Sequence, residues 1–186
     1  MADSFPQASQ TSSPASYDYQ IYTDGSCYWK DGIGGYASVF CDNSSGSIIY
    51  RGGVETGSSV RRAEMKGLLA GLQIVGQFSA ILDEGVRKSM LRGETRRPSV
   101  LWYTDREDIC HAVTPEEGKR INSRDKDADL WASVAWYESW VSLTAVKVPR
   151  NTVGPQTEAD RVCGELRKLL TAHVGDMKKN QNTLLQ

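Results

Sequence analysis

TDGSCYWKDGIGGYASVF, residues 23–40, carries the reading on which the fold turns. Tyr19 to Thr23 has a strand signal and runs straight into Asp24-Gly25-Ser26. A glycine-rich turn follows, and Gly34 to Phe40 reads as a second strand. Beyond it the cluster CDNSSGS (41–47) is turn chemistry, and Ser47 to Arg51 reads as a third strand, so the three form an antiparallel meander. Asp24 is expected to end the first strand, and residues 1–17, rich in Ser, Gln, Ala and Pro, form a leader too polar to offset its ordering entropy.

Downstream the period changes. From Val60 to Val75 the apolar residues Ala63, Leu68, Leu72 and Val75 recur at helical spacing, with Ser58 or Ser59 as cap. Weaker helical character continues from Gly76 to Pro98 and stops at GETRRP (93–98). Ser99 to Thr104, SVLWYT, reads as a buried strand. A short helix is expected over Glu107 to Val113, a polar loop through Arg124, and a helix over Asp127 to Val141 with Leu130, Val134, Tyr137 and Val141 on one face. Leu143 to Val148 closes the sheet. A last helix, Thr157 to His173, carries Ala159, Val162, Leu166 and Leu170, and 174–186 is a polar tail. The order implies an α/β fold: a mixed five-stranded sheet, three antiparallel strands then parallel ones, flanked by helices, in one domain over 18–173.

Bulk properties narrow the function. With 39% hydrophobic and 24% charged residues over 186 positions, the chain can bury its own core without disulfide or structural metal. The cysteines Cys27, Cys41, Cys110 and Cys163 show no metal-site spacing and read as small buried hydrophobes, which suits a reducing, cytoplasmic setting. No apolar run approaches the roughly 20 residues that span a bilayer, so no membrane partner is expected. A net charge of −1 excludes a diffuse polycation, and local patches such as Arg87, Lys88, Arg92, Arg96 and Arg97 must do any phosphate binding, although such a run is as often a solvated surface.

The acids can now be placed. Asp24 closes the first strand, Glu64 lies in the first helix within RRAEMKG, Asp105 ends the fourth strand within WYTDRE, and Asp160 lies early in the last helix within TEADRVC. Four carboxylates meeting at one sheet end are what two divalent ions, about 3.5 to 4 Å apart, require. At these positions the chain resembles the ribonuclease H type 1 family. The run 23–40 is similar to that family's first hairpin. Arg62-Ala63-Glu64, Tyr103-Thr104-Asp105, Asp129-Leu130-Trp131 and Glu158-Ala159-Asp160 match further motifs in the same order, so the resemblance covers about residues 19 to 172.

The resemblance implies the ribonuclease H fold and an endonuclease that hydrolyses the RNA strand of RNA–DNA hybrids, leaving 5′-phosphate and 3′-hydroxyl ends. It implies Asp24, Glu64, Asp105 and Asp160 as catalytic metal ligands, with the Gly25 backbone beside them, for two Mg2+ ions or alternatively Mn2+. Discrimination of the 2′-hydroxyl falls to Gly25, Ser26 and Cys27. Trp29, Lys30, Arg61, Arg62, Arg106, Arg150 and Asn151 are the remaining candidate substrate contacts, and a monomer is expected.

Departures are equally visible. The family often has a histidine in the loop before the last acid, but here VPRNTVGPQTEAD puts Arg150 or Asn151 in its place. Loss of a proton carrier that is not a metal ligand lowers rate or alters pH dependence without abolishing the reaction. Val60 and Arg61 stand where the family has polar residues. Trp131, Trp136 and Trp140 suit core packing and partial exposure better than base stacking, and His111 and His173 lack metal-ligand neighbours. Two other functions share this pattern: a different nuclease on the same fold, such as an exonuclease or resolvase, and a noncatalytic nucleic-acid-binding module. Asp24-Gly25-Ser26 lacks the Asp-x-Glu expected of the exonucleases, and retention of all four mutually repelling acids disfavours the noncatalytic module.

Overall fold

A computed structural model describes residues 16–28, 30, 32–114, 126–149 and 154–184, with side chains placed through Val174. The elements are β1 (Tyr19–Tyr28), β2 (Ile33–Asp42), β3 (Ile48–Glu55), α1 (Val60–Phe78), α2 (Glu84–Leu91), β4 (Ser99–Thr104), α3 (Glu107–Val113), α4 (Ala128–Glu138), β5 (Ser142–Lys147) and α5 (Gly154–Leu184). The sheet order is β3-β2-β1-β4-β5. β1 pairs antiparallel with β2, and β2 with β3, while β1–β4 and β4–β5 are parallel. This is the mixed five-stranded α/β architecture expected from the sequence.

Alternation along β1 divides the core in two. Ile21, with Phe40 of β2 and Val100 and Trp102 of β4, faces α1, α3 and α4 and packs with Leu68, Leu72, Ile109, Leu130 and Val134. Tyr22, Val39, Leu101 and Tyr103 face the other way, toward Ala159 and Cys163 of α5. The Tyr22 and Tyr103 rings stack with centroids 4.4 Å apart. On the first face, buried Trp102 Nε1 donates to Thr23 Oγ1 at 2.8 Å, so the indole polar group is satisfied inside the core.

Several boundaries differ from expectation. Asp24 does not end β1, which stays paired with β2 as far as Tyr28 opposite Ile33. The parallel pairing with β4, however, stops at Tyr22 opposite Tyr103, so Asp24 lies just beyond it. α1 begins as read, with Ser59 Oγ accepting from Arg62 N, but runs past Val75 to Phe78, whose ring meets Phe40 at 5.0 Å. α4 is shorter than read, and α5 longer. α5 starts at Gly154 and continues to Leu184 through the segment read as a polar tail, which has no proline and carries the helix formers Met177, Lys178, Lys179, Gln181 and Leu184. No helix among the described residues is long and apolar enough to cross a membrane.

Candidate metal centre

The parallel strands β1 and β4 project loops and side chains beyond their carboxyl ends, the usual place for a site in an open α/β sheet. Asp24 and Asp105 stand there on the α5 face of their strands. Two helices supply the rest, and both approach through glycine. A Cβ on Gly25 would fall 2.3 Å from Glu64 N, so only glycine lets α1 lie against β1 at the acid it carries. A Cβ on Gly35 of β2, opposite Ser26 of β1, would fall 2.4 Å from the Cys163 carbonyl, and this close approach seats α5 against the sheet one turn beyond Asp160.

The result is two overlapping clusters. Asp24, Glu64 and Asp105 bring one carboxylate oxygen each within 4.8 Å of one another; Asp24, Asp160 and Cys163 bring two carboxylate oxygens and a sulfur within the same limit. Asp24 belongs to both. All four acids singled out in the sequence therefore meet, with Asp24 between Glu64 and Asp105 on one side and Asp160 on the other. Asp24 and Glu64 are each 1% exposed.

Burial is the largest influence on both. It pushes Asp24 up to about 7, with Asp160 and Asp105 adding repulsion and a hydrogen bond from Cys163 opposing it. Glu64 is held well above the usual carboxylate range by burial, then by Asp24 and Asp105, against a bond from the Gly25 N–H and the charge of Arg106. Glu64 Oε2 is buried without a hydrogen-bond partner. A dry carboxylate oxygen facing two other carboxylates costs free energy unless a cation neutralises it, and oxygen donors at this spacing suit a hard divalent ion. The residues present fit such an ion.

Around the acids the sequence-derived contacts fall into distinct settings. Cys27 is half-buried, and its thiol donates to the Ser58 carbonyl at 3.3 Å. Lys30 is exposed in the turn. Arg106 clamps Asp108 through Nε and Nη2 at 2.9 and 3.0 Å while acting on Glu64 and Asp105. Arg61 is buried, lying 3.2 Å from Asp108 and 3.3 Å from Asp127. Arg62 grips Asp129 at 3.0 and 2.7 Å. These two arginines tie α1 to the start of α4. Trp29, Arg150 and Asn151 lie outside the described residues.

The basic stretch lies elsewhere. Arg96 pairs with Asp18, immediately before β1, and Asp18 also accepts from Ser99 at the start of β4. The acids lie at the opposite ends of those strands, about 20 Å away for a six-residue strand. Within the stretch, Arg87 donates to the Ile81 and Leu82 carbonyls, Lys88 meets Glu84 and Arg92 meets Glu94.

Two contributors were missed in the sequence. Cys163 Sγ lies 2.8 Å from Asp24 Oδ2 and is wholly buried. Gln156, 2% exposed, donates through Nε2 to the Thr23 carbonyl. Their positions three after and four before Asp160 put them on its helical face, which is the signal that could have found them.

No protein-family model and no curated protein matches the chain. Solved structures do. The N-terminal RNase H domain of rv2228c from Mycobacterium tuberculosis, solved as a maltose-binding-protein fusion, is similar with a TM-score of 0.59 at 16% identity, covering 84% of this chain and 97% of that one. LC11-RNase H1 in complex with an RNA/DNA hybrid gives 0.58 at 18% identity, covering 82% and 99%. RNase H1 from the halophilic archaeon Halobacterium salinarum gives 0.57 at 17%, covering 80% and 96%. The chain thus has the ribonuclease H fold.

Proposed function

We propose that the chain is a metal-dependent ribonuclease H that hydrolyses the RNA strand of RNA–DNA hybrids, leaving 5′-phosphate and 3′-hydroxyl ends. The observation that carries this reading is the double membership of Asp24, which stands within ligand distance of Glu64 and Asp105 on one side and of Asp160 on the other. Asp24, Glu64, Asp105 and Asp160 would hold two Mg2+ ions, or Mn2+. Bound there, the ions would supply Lewis-acid activation of a water and neutralise the charge that builds on the phosphate during in-line displacement.

The protein's own groups do the remainder. Asp24 bridges the two halves of the site, and Gly25 keeps α1 close enough for Glu64 to face it. Arg106 limits the net negative charge that an incoming phosphate meets. Gly25, Ser26 and Cys27 line the strand beyond Asp24, where a 2′-hydroxyl could be read, and Lys30 is an exposed cation on the same hairpin. Trp29, Arg150 and Asn151 extend that contact surface on the sequence reading alone. Arg61 and Arg62 act through position, holding α4 against α1. One similar structure contains an RNA/DNA hybrid, and that substrate is carried over to this chain with backbone contacts dominant and affinity falling as salt rises. We take the protein to work as a cytoplasmic monomer.

The test is cleavage of an end-labelled RNA–DNA hybrid, with RNA–RNA and DNA–DNA duplexes beside it, in Mg2+ or EDTA. Magnesium-dependent cutting of hybrid RNA alone is the expected result. Equal cutting of a pure duplex, or binding without cutting in both Mg2+ and Mn2+, would contradict the reading.

A further inference from the structure

Cys163 puts a sulfur where the rest of the site offers oxygen. Its Sγ approaches Asp24 Oδ2 to 2.8 Å and the Asp160 carbonyl to 3.2 Å, and it shares a 4.8 Å circle with carboxylate oxygens of Asp24 and Asp160. The thiol is fully buried, and the backbone bearing it is locked by the contact of its carbonyl with Gly35. Asp24 also belongs to the neighbouring group with Glu64 and Asp105, where the buried Glu64 Oε2 has no hydrogen-bond partner and marks that side of Asp24 as a place for a cation.

We propose that Asp24, Asp160 and Cys163 form a thiophilic metal site that takes Zn2+ or Cd2+ in competition with Mg2+. The inference deepens the functional reading above and rests on it for its consequence, though not for its test. Hard Mg2+ prefers oxygen and leaves a thiol protonated, so in magnesium Cys163 acts as a positioning residue whose S–H orients the Asp24 carboxylate. A softer ion forms a bond to the sulfur. The S–H bond breaks, its proton passes to solvent buffer, and a metal–thiolate bond forms with no change of oxidation state. Asp24 Oδ2, released from the thiol, becomes available to the same ion.

The test titrates Cd2+ into the metal-free full chain without nucleic acid, following the ultraviolet sulfur-to-cadmium charge-transfer band and thermal stability. The natural chain is expected to show a band with a one-to-one component that Cys163→Ser and Cys163→Ala both remove. Asp160→Asn, which leaves the thiol in place, is expected to weaken that component's affinity by on the order of 10- to 100-fold. Excess Mg2+ should compete with it. Cys27, Cys41 and Cys110 remain in every variant, so any cadmium they bind is common background. A band of unchanged amplitude in the Cys163 variants, or unchanged affinity in Asp160→Asn, would overturn the proposal. The titration contains no nucleic acid and is separate from the Mg2+ cleavage assay, so a cadmium band from a chain that fails to cut hybrid in that assay would sink the nuclease reading alone, and cutting there without the band here would sink this inference alone.

Discussion

Gly25 and Glu64 meet backbone to backbone. A Cβ at residue 25 would lie 2.3 Å from Glu64 N and 2.8 Å from its Cα, with no flexible side chain between them to yield. Gly25→Ala therefore forces α1 away from β1 at the acid it carries. The expected outcome is a loss of about 2 to 3 kcal/mol in urea unfolding together with loss of metal-dependent activity. Unchanged stability would show that the two backbones are not held in contact.

Asp24 has a linked pH signature. Its usual value is 3.8, and burial raises it in the folded state to about 7. Below 3.8 both states carry the proton and burial of the group costs little. As the pH rises, the unfolded chain ionises first, so stability is lost until the pH passes about 7. In EDTA, Asp24→Asn should therefore be more stable than the natural chain at pH 7.5, by up to about 4 kcal/mol, with the difference vanishing near pH 3.5. Mg2+ should reverse the order at pH 7.5. Comparing the two chains by calorimetry cancels carboxylates with the opposite trend, such as Asp18, which its Arg96 partner lowers to about 2.

Arg61 and Arg62 are neighbours with unlike energetics. Arg61 is buried between Asp108 and Asp127, whose side chain is 12% exposed and keeps Arg62 at 3.7 Å, so Arg61→Ala should cost about 1 to 3 kcal/mol by weakening the pairing of that charge and emptying a packed site. Arg62 faces Asp129, which is 60% exposed, and Arg62→Ala should cost less than about 1 kcal/mol. Thermal melts of the two variants check the ranking.

The basic stretch running from α2 to the start of β4 gives a negative prediction. It lies at the strand ends opposite the acids, so Lys88→Ala, Arg92→Ala and Arg97→Ala together should change hybrid affinity by less than about twofold at moderate salt. Fluorescence anisotropy with a labelled hybrid reads this directly, and a large loss would place the substrate on that end of the sheet.

Much of this was legible in the amino-acid order. The bounds of β4 and α3, the start of α1 at Ser59 and the convergence of the four acids follow from local periodicity and turn chemistry. What escaped depends on distant partners. β1 runs on past Asp24 because β2 pairs with it to Tyr28, and α1 runs past Val75 because Phe78 reaches Phe40 on β2. Cys163 reads as an ordinary buried residue until Gly35 allows α5 to dock and set its sulfur beside Asp24. The basic stretch invited a binding role because one-dimensional charge density does not say to which end of the sheet a connection returns.

The central claim is that Asp24 joins two half-sites into one hydrolytic centre. The most direct measurement is the single-turnover rate of hybrid RNA cleavage in Mg2+ for the natural chain, Asp24→Asn, Glu64→Gln and Asp105→Asn, with folding of each verified by circular dichroism. The account predicts losses of about 1,000-fold or more in all three folded variants, since residues that act as a unit fail singly. Retention by folded Asp24→Asn of a rate within about tenfold of the natural chain would contradict it.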